Sequence, residues 1–271
     1  MKILISLIAF IFSNKVGQNL LEFIAKGANL LMGIGLGTGV DSSGEEAIFK
    51  KLIASNSNNK SHLIIFDIGA NKGQFLNLAN TSLQQYKKFS IHSFEPSKYT
   101  YNILTENAPK GKNIVLNNFG MGIKESILTL YYDEFASGLA SLTKRELGFI
   151  NRDFNKSEEV FIKTVDDYCF TNKIIKIDLL KIDVEGHELD VLIGARKMIE
   201  EKKVNMISFE FGGCNIDTHT YFKDFYLFCA KNKYKIYRIT PSGYFFLIED
   251  YKEIYEQFRT TNFLAVLDKF D

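Results

Sequence analysis

Acidic side chains stand at four places where a short apolar run stops. Asp67 follows residues 63–66, Glu95 follows 89–94, Asp183 and Glu185 close 179–184, and Glu210 follows 204–209. Carboxylates in such places accept hydrogen bonds from hydroxyls, take up protons and hold cations. His187, one of 4 histidines, lies two positions beyond Glu185, and a histidine titrates near neutral pH. The first acid opens the stretch Asp67-Ile68-Gly69-Ala70-Asn71-Lys72-Gly73. Glycine lacks a Cβ, so the backbone there can come close to a ligand. The stretch is neither G-x-G-x-x-G nor G-x-x-x-x-G-K-[ST], so the fingerprints of dinucleotides and nucleoside triphosphates are absent. A glycine turn followed by Glu95 at the next strand end, placed for ribose hydroxyls, indicates an adenosyl ligand without a pyrophosphate.

The elements that must position these groups are legible from periodicity. The apolar runs before the acids are short and rich in branched residues, as strands buried on both faces are. Further strands are expected at 113–118, 127–132, 160–165, 234–239 and 262–267, and helical spacing recurs at 75–79, 99–107, 189–199 and 221–231. This alternation predicts an α/β domain with a largely parallel sheet, whose ligands sit beyond the carboxyl ends of the strands. Residues 135–159 read as a polar insertion, a lid or acceptor-binding loop against a solvated loop. Its Lys144, Arg145 and Arg152 would suit a phosphorylated or acidic acceptor.

Together, Asp67 to Gly73, Phe94-Glu95-Pro96 and Leu180-Lys181-Ile182-Asp183-Val184-Glu185-Gly186-His187-Glu188 resemble the FkbM-type methyltransferases, class I enzymes that use S-adenosylmethionine. The resemblance runs from about residue 61 to the C-terminus, and the later segment is its more specific part. It implies a Rossmann-like class I methyltransferase fold, with a mostly parallel seven-stranded sheet and helices on both faces. Residues 61–271 would form this domain, with an insertion at about 133–160, and residues 1–60 a helical N-terminal extension. By the resemblance, Asp67, Gly69, Ala70, Asn71 and Gly73 line the methionine and sulfonium end of the cofactor. Glu95 holds the ribose, and Pro96, Asn118, Gly120 and Met121 lie along the adenine, with Asp183 near the methyl. The implied activity is transfer of a methyl group to a hydroxyl, leaving S-adenosylhomocysteine. The acceptor expected is a sugar of a surface polysaccharide, glycolipid or sugar nucleotide. A natural-product acceptor and an inactive adenosyl-binding scaffold are the alternatives.

Methyl transfer from a sulfonium is an in-line displacement, in which positioning does most of the work. His187 or Asp183, with Glu185 beside them, are the candidates for the base. Glu188 is as well explained by the helix N-terminus it opens. Asp183, Glu185 and Glu210 offer oxygens of the kind magnesium accepts. No D-x-x-x-D-D pattern is present, and the reading is that no metal is required.

Lys+Arg 33 against Asp+Glu 32 leaves no charge excess to draw the chain to nucleic acid. Three widely spaced cysteines without CxxC argue against a disulfide framework or a zinc module and suit a reducing cytoplasm. The apolar run at 3–12 is too short to span a bilayer, which takes roughly 20 residues. Three readings of the N-terminal segment stay open: helices packed on the domain or in a homodimer, a weak contact with the inner membrane surface, and a secretory signal.

Overall fold

The structure, a computed structural model, describes residues 9–37, 39–40, 42–56, 61–86 and 88–270. Most of the run at 3–12 lies outside the described residues. Helix α1 spans Lys15–Leu31 and α2 spans Glu46–Ser55. The alternation then begins with β1 (Leu63–Ile68), α3 (Gln74–Ser82), β2 (Phe89–Phe94), α4 (Lys98–Asn107) and β3 (Ile114–Asn117). The insertion region holds β4 (Gly120–Met121), β5 (Ser126–Tyr132) and β6 (Lys156–Lys163). After α5 (Val165–Thr171) come β7 (Ile177–Ile182), α6 (Glu188–Gly194), α7 (Arg196–Glu200) and β8 (Val204–Phe211). The chain ends with α8 (Cys214–Asp217), α9 (Phe222–Lys231), β9 (Tyr234–Ile239), β10 (Phe245–Ile248) and β11 (Thr261–Leu267).

The main sheet runs β10-β9-β11-β8-β7-β1-β2-β3. It has eight strands where seven were expected, because β10 folds back on β9 as an antiparallel edge. β1, β2, β3, β7 and β8 pair in parallel, while β11 lies antiparallel between β8 and β9. A second sheet, β4-β6-β5, carries the insertion. There β6 starts at Lys156, earlier than the expected 160, because its ladder against β5 extends to Tyr132.

Side chains of β1 alternate between two cores. Ile64, Phe66 and Ile68 pack on one face with α5, α6 and α9, whereas Leu63 and Ile65 face α2 and α3. This period of two puts Asp67, opposite Lys181 in the β1–β7 register, on the α2–α3 face. Helix α2 belongs to that core through the fully buried Ile48, Phe49 and Leu52, and Phe49 meets the Phe75 ring at 5.5 Å. By contrast, α1 buries Gly17 alone and leaves Phe23 (74%) and Leu31 (81%) exposed. No helix among the described residues is long and apolar enough to cross a membrane.

Candidate active site

The turn after β1 is shaped by backbone that L-residues rarely adopt. Gly69 (φ 81°), Asn71 (φ 47°) and Gly73 (φ 93°) are left-handed, and Gly73 caps α3. Gly69 packs against the backbone after β7: a Cβ there would lie 1.7 Å from the Asp183 carbonyl oxygen. The Gly69 and Ala70 amides both donate to the Phe94 carbonyl (3.0 Å each), and the Asp183 amide donates to Ile68 (3.0 Å). Three strand ends are thereby tied together at one point.

Glu95 stands beside this turn, 7% exposed. Its Oε2 accepts from the Asn71 amide and its Oε1 from the Ser97 amide, both at 3.0 Å. Burial pushes its pKa up to about 7, although both amides favour the charged form. The Asn71 side-chain oxygen is buried with no hydrogen-bond partner. Gly69, Asn71, Glu95, Pro96, Gly120 and Met121 line a cavity of about 90 Å³, closed on its other side by residues 137–142 of the insertion and by Ile162. Asp183, Glu185 and His187 complete its rim.

Across Gly69, Asn71 and Asp183 lies a larger cavity of about 510 Å³. Glu185, Glu210, Arg145 and Lys181 face it, and Asp183 borders both spaces. The carboxylates of Asp183, Glu185 and Glu210 lie within 4.8 Å of one another, a spacing that would admit a cation. The chain supplies two cations of its own: Lys181 Nζ is 3.0 Å from Asp183, and Arg145 is 3.0 Å from Glu185 and 2.9 Å from Asp217. Burial and the neighbouring Asp183 still push Glu185 up to about 8, and burial with the nearby acids holds Glu210 well above its ordinary range.

His187 sits at the cavity rim with both ring nitrogens engaged, Nδ1 with Asp190 (2.7 Å) and Nε2 with the Thr143 hydroxyl (3.0 Å). The ring makes no helix cap. Glu188, in contrast, is fully buried, and its Oε1 accepts the Val184 and Gly186 amides. It holds the turn together from within. Glu185 (φ 54°) is held in that strained turn by the Ser141 hydroxyl, which donates to its carbonyl at 2.7 Å.

The remaining expected residues are placed less directly. Asp67 is wholly buried beneath the turn, its Oδ2 accepting from Ser93 (3.4 Å) and its Oδ1 unpartnered; burial pushes it up to about 6. Ala70 faces the larger cavity. Asn118 donates its side-chain amide to the Glu95 and Pro96 carbonyls (3.0 and 3.1 Å), so that amide builds the turn instead of facing the cavity. The insertion's arginines are not free for an acidic acceptor, since Arg145 is paired as above and Arg152 pairs with Asp133 and Glu134. Lys181, Asp190, Thr143 and Arg145 were not singled out as a set. Asp190 alone had a local signal, three residues after His187 on one helix face.

A glycine turn after β1, Glu95 at the neighbouring strand end and Asp183 bordering both cavities thus stand together at one edge of the sheet. Residues 67–236 match the methyltransferase FkbM domain, and the chain belongs to that family. It is 24% identical over 173 residues to the hexuronic acid methyltransferase AglP of Haloferax volcanii, an alignment covering 63% of each chain. The chain thus spans less than two thirds of that relative. Among solved structures it is similar to a methyltransferase FkbM from Methylobacillus flagellatus KT (18% identity, TM-score 0.44, 76% of this chain and 44% of that one). It is also similar to the plantazolicin methyltransferase BpumL (10%, 0.44, 96% and 94%).

Proposed function

We propose that this methyltransferase uses S-adenosylmethionine to methylate a hydroxyl of a sugar. The observation that carries the cofactor reading is the cradle at β1 and β2. Gly69 lets the turn pack directly on the backbone after β7, Glu95 is a buried acceptor fixed by two amides, and the Asn71 oxygen has no partner. A buried acceptor without a donor is costly, and an adenosyl ligand brings hydroxyl and amine donors. Glu95 would take the ribose hydroxyls, while Gly120, Met121 and Pro96 would flank the base. When bound, the cofactor supplies an electrophilic methyl on sulfonium. The chain's part is to orient the acceptor, exclude water and remove its proton.

The acceptor side is the junction of the two cavities at Asp183 and Glu185, with His187 on its rim. Its acids suit the hydroxyls of a sugar, and the relationship to a hexuronic acid methyltransferase favours a glycan acceptor. His187 is the proposed base. Asp190 fixes its ring, and Thr143 stands at Nε2 where an acceptor hydroxyl would bind. His187→Ala is expected to lower turnover by about 10²- to 10⁴-fold while leaving S-adenosylhomocysteine binding unchanged in calorimetry. Full turnover would move the base to Asp183. Because Lys181 and Arg145 already balance two of the three clustered acids, no metal is required on this reading. Turnover should persist in excess EDTA, and loss restored by magnesium would overturn that part. The buried free cysteines accord with a reducing cytoplasm. The exposed apolar residues of α1 offer a contact with the inner membrane surface or with a second copy.

A further inference from the structure

Gly33, Gly35, Gly37 and Gly44, upstream of the family match, lie against the C-terminal strands and the turns beside them. The Gly35 and Gly37 amides both donate to the Thr260 carbonyl, at 2.9 and 3.0 Å. A Cβ on Gly33 would lie 2.3 Å from the Ile239 carbonyl oxygen, and one on Gly44 2.1 Å from that of Thr240. These glycines let a strap of chain run in contact with the backbone of β9 and the approach to β11. The strap ends at Glu45, 4% exposed, whose Oε2 accepts from the Ser43 hydroxyl at 2.9 Å.

Glu45 faces the larger cavity together with Lys181. Lys181 is itself buried, 7% exposed, with its Nζ 3.0 Å from Asp183 and 5.2 Å from the Phe75 ring centre. Burial opposes its charge, but Asp183, Asp67 and Glu45 together raise its pKa above the ordinary range. One buried lysine thus stands among three acids, Glu45 and Asp183 in the cavity lining and Asp67 beneath the turn, immediately beside Gly69 and Asn71.

We infer that Glu45 belongs to the cofactor site and receives the α-ammonium of the cofactor's amino-acid end. This rests on the reading that the ligand is S-adenosylmethionine. A cavity lined by more acids (Glu45, Asp183, Glu185, Glu210) than cations (Lys72, Arg145, Lys181) favours an ammonium over a further carboxylate. The glycine turn separates it from the cavity where Glu95 awaits a ribose. The strap is then part of the binding machinery, delivered by tertiary contact from outside the family match.

Two ligands separate the ends of the site: S-adenosylhomocysteine carries the ammonium, and 5′-methylthioadenosine lacks it. In calorimetry on the full chain, Glu45→Gln should weaken S-adenosylhomocysteine binding about tenfold and leave methylthioadenosine within about twofold, with Glu45→Asp recovering part of the loss. Equal losses for both ligands, or no loss in either, would overturn the inference. If Glu45→Gln does not fold, Ser43→Ala, which frees the Glu45 carboxylate, should show the same selectivity at roughly threefold; equal effects there overturn it too. Wild-type protein that binds neither ligand would instead overturn the cofactor reading on which this rests.

Discussion

Gly69→Ala is expected to cost at least about 3 kcal/mol of stability and to abolish S-adenosylhomocysteine binding. Two independent costs combine. The residue has φ 81°, where an L-side chain is disfavoured by about 1–2 kcal/mol. Its Cβ would lie 1.7 Å from the Asp183 carbonyl oxygen, a backbone atom that no rotamer change moves away. Relief would require β1 and β7 to part, yet Ile68 and Asp183 are joined by a backbone hydrogen bond and Gly69 is bonded to Phe94. Urea unfolding of the two proteins measures the loss. A variant that unfolds at the wild-type urea concentration would contradict the packing described here.

Glu95→Ala is the second large effect, and it falls on binding. The variant loses the acceptor for the ribose hydroxyls and strands the Asn71 and Ser97 amides. Charged hydrogen bonds contribute about 1.5–3 kcal/mol each, so S-adenosylhomocysteine affinity should fall on the order of 100-fold. Glu95→Gln keeps the shape and isolates the charge. An unchanged affinity in either would remove the ribose assignment.

Glu95 also sets a pH dependence. Its folded pKa is raised to about 7 by burial, above an ordinary 4.5. A raised carboxyl pKa contributes stability that is fully present below 4.5 and is lost as pH rises through about 7. Asp67, raised to about 6, acts in the same direction. The ligand-free protein should therefore melt at progressively lower temperature from about pH 5 to pH 8 through these groups. Ligand affinity should move the opposite way, because the ribose needs the ionised form. Binding near pH 6.5 should release protons, and Glu95→Gln should flatten that release.

The sequence by itself determined the strand ends and the acids on them. Apolar runs of strand length stop where the chain leaves the core, so Asp67, Glu95, Asp183 and Glu210 could be assigned to one edge of the sheet without coordinates. The glycine turn was equally legible, since its residue types encode a backbone conformation. The direction in which each acid points was decided by the tertiary structure. Glu188 and Glu185 are three residues apart, yet one is sealed inside the turn by two amides while the other faces a cavity. An acid reads identically in sequence whether its donor is a ligand or a backbone N–H. The partners of the site were likewise hidden, because they come from distant parts of the chain. Thr143 reaches His187 from the insertion, Arg145 joins Glu185 to Asp217, and Glu45 arrives beside Lys181 from the strap. Local periodicity carries no information about such contacts. They exist only once the sheet has ordered its strands and the two layers of helices have closed on it.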